Sequence, residues 1–88
     1  MSAFSERVGY KSVNTGTLIK SGPAGLFGVV STVTGGAITI YDNTAASGTI
    51  LFTKTLSVGE VVHFGGVGIA AAIGIYVSIS GTANILYT

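Results

Sequence analysis

The chain has no cysteine and no tryptophan, one proline, one histidine, and only seven charged side chains in 88 residues. Each scarcity excludes something. Without thiols no disulfide can staple the fold, and thiolate chemistry and cysteine-type zinc sites are ruled out. One His, two Glu and one Asp leave almost no general acid–base inventory, so the sequence reads as a non-enzyme with no cofactor. A net charge of +1 gives no electrostatic footprint for nucleic acid. No basic segment followed by an apolar run opens the chain, so a secretory leader is not expected and synthesis in a cytoplasm is.

The shortage of charge also bears on association. An average soluble domain of this length carries about 22 charged residues. A folded monomer of this mass exposes about 4,800 Å², and seven charges cover that area thinly. Because 48% of the residues are hydrophobic, a free monomer would tend to associate. The expectation is a surface largely covered by partners, most simply copies of itself in a dimer or trimer.

What the sequence does hold is glycine, 14 residues of it, among frequent β-branched residues, Tyr and Phe. This pattern predicts short strands and tight turns. Strands are expected over 7–13, 17–20, 26–33, 38–41, 49–54, 60–64, 73–80 and 83–87. Ser21-Gly22-Pro23-Ala24-Gly25 is the strongest loop signal, and Gly35-Gly36 reads as a hairpin turn. Alternation is clearest late in the chain, with Ile73, Ile75, Val77 and Ile79 on one face. Ile69 to Ile73, with its alanines, is the one helix-like stretch. The expected fold is all-β, a small antiparallel β-sandwich or jelly-roll-like barrel of about eight short strands. Residues 1–14 form an arm or first strand, and 15–88 a single sandwich domain.

Several motifs carry a formal chemical reading. The 25 residues from Phe64 to Thr88 lack charge, yet their period is 2, glycines interrupt them and no basic cluster follows, so buried strands are expected and not a membrane span. Gly66 to Ala71 fits G-x-G-x-x-A, but no acidic residue follows Glu60 to bind a ribose and no room remains for a βαβ unit. Glu60 and His63 would share a face on a helix but point apart on a strand, so no metal is expected. Asp42-Asn43 reads as a turn former. Lys11, Lys20 and Lys54 fall in or beside strands and are expected to guard edges.

The strings "GTLIKSGPAGLFGV" and "GGAITIYDNTAASGTIL", followed by a Gly-rich apolar final third, resemble a group of short phage virion proteins. "TIYDNTAASGT" is the part most similar to those capsid decoration (cement) and head-fibre proteins. The resemblance implies a sandwich or jelly-roll-like module on the capsid exterior, oligomeric and bound to the major capsid protein, which would stabilise the virion. It transfers no binding residues. The aromatic and apolar residues Phe4, Tyr10, Leu26 and Phe27 are the candidate interface, expected to be exposed. A head- or tail-fibre knob that binds a host surface and a membrane-active virion peptide are the alternatives.

Overall fold

A computed structural model describes residues 9–64 and 68–88. It holds nine strands: β1 (Gly9–Val13), β2 (Thr17–Ser21), β3 (Ala24–Ser31), β4 (Gly36–Asp42), β5 (Thr49–Leu56), β6 (Val61–His63), β7 (Ile69–Ala71), β8 (Gly74–Ile79) and β9 (Ala83–Tyr87). No helix occurs among the described residues. The strands form two antiparallel sheets packed as a sandwich, not a closed barrel. Sheet I runs β1-β9-β3-β6, with β7 beside β6 on the same edge of β3; sheet II runs β2-β8-β4-β5.

The period-2 pattern builds the core. Ile38 and Ile40 of β4, Ile75 and Val77 of β8, Val29 of β3 and Ile85 of β9 are all essentially inaccessible to solvent. Their polar neighbours in sequence fall on the outer faces, as alternation requires.

The one helix-like stretch is a strand, in keeping with the all-β expectation, and one expected turn is corrected. Ile69–Ala71 is a strand, because its backbone pairs with Ala24–Leu26 of β3; that pairing overrides the helix preference of the two alanines. Gly35-Gly36 is not a hairpin turn. β3 lies in sheet I and β4 in sheet II, so this segment carries the chain between sheets. It meets the return crossing between β8 and β9: Thr82 donates its N–H to Thr34 O at 3.1 Å, and Thr34 N–H is received by Thr82 Oγ1 at 2.9 Å.

Candidate functional site

The strand registers fix which residues share each face, and the arrangement of charge follows from them. On the outer face of sheet I, Tyr10, Leu86, Gly28 and His63 lie opposite one another across four strands. The next outward row is Ser12, Asn84, Val30 and Val61. On sheet II the outward row is Leu18, Tyr76, Tyr41 and Ile50. Beside it run Ser78, Thr39 and Thr53, with the two threonine hydroxyls 3.2 Å apart. None of these positions holds a Lys, Arg, Asp or Glu. An antiparallel sheet normally turns a polar outer face to water; here both outer faces offer aromatic, aliphatic and hydroxyl groups.

The described charges occupy the rim. Lys11, Lys20 and Lys54 lie on β1, β2 and β5, the two edge strands of sheet II and one of sheet I. Lys11 stands in the inner row with Ile85 and Val29. Lys54 stands in the inner row with Ile38 and Ile79, and Lys20 faces Ile75 across a bulge. Inward-pointing edge lysines obstruct unwanted strand pairing. The signal was present in the sequence: Lys54 alternates in step with Phe52 and Leu56, and Lys11 with Val13.

Both described carboxylates serve the fold. Asp42 ends β4, and its carboxylate accepts backbone N–H groups from Ile73 at 2.8 Å, Ala72 at 3.1 Å and Gly74 at 3.3 Å. These bonds, Ile73 and Ala72 first, hold its pKa below the usual carboxylate range. Asp42 therefore anchors a turn some thirty residues away, a role local turn chemistry does not reveal. Asn43 acts locally, accepting from Thr44 N–H at 2.7 Å and donating to Ser47 O at 2.9 Å. Glu60 accepts the Ser57 N–H at 2.9 Å and pairs with Lys54 at 3.0 Å. Its pKa is also lowered, by the Ser57 bond first and then by Lys54.

Depressed folded-state pKa values have a definite sign. The stabilisation from Asp42 and Glu60 is complete above the unfolded carboxylate values of about 4 and is lost as pH falls through the lower folded values. Denaturant midpoints measured from pH 6 downward should therefore fall on acidification. The Asp42→Asn variant should be less stable at pH 6 and show a shallower acid slope. An unchanged slope would remove this role from Asp42.

Other candidates separate in space. Glu60 is tied to Lys54 and Ser57, and no group of three metal-ligating side chains exists among the described residues. Gly66 and Val67 lie outside the described residues, and Ile69–Ala71 is a strand, not the start of the helix a dinucleotide fingerprint needs. The apolar final third forms β7, β8 and β9, and no described helix is long and apolar enough to cross a membrane. An open groove of about 260 Å³ lies at one end of sheet I. Its lining includes Ser12, Asn14, Thr32, Val33 and Thr82, which supply hydroxyls, an amide and an exposed valine but no titratable group.

Of the candidate interface residues, Phe4 lies outside the described residues. Tyr10 is 67% exposed, on the outer face of β1. Leu26 is 0% exposed and packs in the core, so it has no surface to offer and is removed from the candidate interface. Phe27 is half-buried at the point where the β3–β9 register slips by one residue. Alternation puts adjacent residues on opposite faces, and the slip, invisible in the sequence, decides that Leu26 and not Phe27 takes the inner one. Sequence reasoning missed Leu18, Tyr41, Ile50 and Tyr76, because the row they form depends on strand order.

The chain matches no family model, and no curated protein or solved structure is significantly similar to it.

Proposed function

We propose that the chain is a structural binding module that decorates the exterior of a phage capsid, associating with copies of itself and with the major capsid protein to stabilise the shell. The observation that supports this reading most is the absence of charged residues from both outer sheet faces among the described positions. Apolar and hydroxyl surface of that kind gains by leaving water, and it lacks the charges that discourage association. Many copies on a lattice turn modest individual affinities into strong retention, because neighbouring sites raise effective concentration. The mechanism needs no covalent step and no cofactor.

The groove beside Thr32 and Thr82 favours a second reading, a fibre knob that takes a neutral glycan through hydroxyl and amide contacts. The two differ in where the protein sits. Decoration places it in regular copies over the shell and raises the temperature at which particles rupture. A knob sits at fibre tips and leaves rupture unchanged.

The experiment is sedimentation equilibrium of the purified protein, joined to add-back onto particles that lack it. Wild type should self-associate and bind particles. Val61→Glu on sheet I and Ile50→Glu on sheet II place a charge on each face at half-exposed edge positions. At least one should weaken association by about a hundredfold while the subunit stays folded, because a charge would be buried unpaired. A wild-type monomer at every concentration that also fails to bind particles would overturn the proposal.

A further inference from the structure

The two flanks of the sandwich are built differently. On one, Phe52 of β5 meets Phe64 just past β6 edge-to-face, with ring centroids 5.0 Å apart. Lys54 reaches Glu60 beside them. An aromatic contact and an ion pair thus close the seam between the sheets. On the other flank lie β1 and β2, joined by only Asn14, Thr15 and Gly16, a link that carries the chain from Val13 to Thr17 over roughly 14 Å at most and keeps both strands on that side. Four of the five β1 residues are exposed. Tyr10 and Leu18 present large apolar surface there. Lys11 and Lys20 face the space between the sheets, and among the described residues neither has an ion-pair partner.

The edges also differ in regularity. β2 carries a bulge at Ile19, and β5 skips Leu51 in its pairing with β4. β6 and β7 are three residues each. Bulges and short strands are ways of closing an edge. β1 has neither: five consecutive residues pair with β9 without a register shift. Among the described residues its other side pairs with no strand, which leaves a regular row of backbone donors and acceptors there.

We propose that β1 is a docking edge for an extended, carboxylate-bearing strand of a partner protein, which adds to sheet I while Lys11 and Lys20 receive its acidic side chains. This deepens the reading of the chain as a binding module and rests on it. Charge complementarity selects the occupant. A second copy brings its own Lys11 to the same edge, and its described carboxylates are committed, Asp42 to the β7–β8 turn and Glu60 to Lys54 and Ser57. Lysines that repel a second copy therefore admit a strand bearing the opposite charge, which is specificity through a built-in repulsion. Backbone pairing gives such a complex its affinity, and the charges give it its selectivity.

The probe is a synthetic peptide of alternating Glu and Val, compared with one of alternating Gln and Val, titrated into the full chain at low salt and followed by backbone amide chemical shifts. The Glu peptide should perturb amides of β1 and β2 and protect those of β1 from exchange. The Gln peptide should bind roughly tenfold more weakly, and so should the Glu peptide to the Lys11→Gln/Lys20→Gln variant. Added salt should weaken the Glu peptide selectively. Both lysines are at the rim, and unchanged core shifts in the variant show that it folds. Equal binding of the two peptides, perturbation confined to the β5–β6 flank, or lysine-dependent retention on phosphatidylserine vesicles would overturn the proposal. Particle add-back separates this inference from decoration itself: lysine variants that decorate normally defeat the docking edge alone, and wild-type protein that never decorates defeats the broader reading.

Discussion

Replacing Leu26 with alanine lowers the unfolding free energy by about 3 kcal/mol, the usual cost of a cavity where a leucine was enclosed. Leu26 is wholly inaccessible, and its β-ladder neighbours are Tyr87 and Ile69. A domain of this length is stable by on the order of 4–13 kcal/mol, so this one change removes a quarter or more. In a thermal scan the midpoint should drop by about 15 °C, with the denaturant slope unchanged. Tyr10→Ala is the contrast. Its side chain stands in solvent on β1, so stability should stay within about 0.5 kcal/mol of wild type, and under the proposed function any association through that face should weaken. If Leu26→Ala unfolds at the wild-type temperature, β3 does not sit in the core as described.

Gly81→Ala should be nearly as damaging, for a different reason. A methyl group there would overlap the Gly35 carbonyl oxygen and lie 2.9 Å from Thr34 O. Both are backbone atoms of the opposing sheet crossing, held by the Thr34–Thr82 bonds, so neither can swing aside. Forcing the crossings apart costs about 2–4 kcal/mol and should expose the inter-sheet end first, seen as loss of exchange protection at Thr34 and Thr82. Gly9→Ala is the control. Its nearest neighbours would be 3.8 Å or more away, and the substitution should be neutral or slightly stabilising through the unfolded chain. Equal effects at Gly9 and Gly81 would mean that the crossings do not touch.

These two positions also mark how far the sequence could be read. Strands show themselves by alternation, and Ile38, Ile40, Ile75 and Val77 are where the period places them. Strand partners are not encoded that way. Nothing local says that the chain changes sheets at Gly35 or that β9 inserts between β1 and β3. A glycine pair serves a tight turn or a close crossing equally well. Parity also fails wherever a bulge intervenes. Counting by twos from Val29 would turn Phe27 inward and Leu26 outward, and the slipped register against β9 puts Leu26 in the core instead. The outer rows are legible only once strand order is known, since Leu18, Tyr76, Tyr41 and Ile50 are scattered over more than fifty residues. The lysines were easier: an edge can be inferred from a charge that keeps step with buried neighbours.

The strand order has a consequence for biosynthesis. One interior ribbon of each layer, β8 and β9, comes from residues 74–87, whereas the ribbons flanking them are made much earlier. A nascent chain lacking this stretch leaves β1 and β2 without neighbours and the early hydrophobic surface unpaired. Sheet II can close only once Ile79 has left the ribosomal tunnel and sheet I only once Tyr87 has, so folding of the sandwich awaits the end of this stretch and then proceeds through contacts of long sequence separation, a slow regime. Products truncated before Gly74 would be unable to complete either layer, and incomplete subunits would be kept out of any assembly the finished ones build.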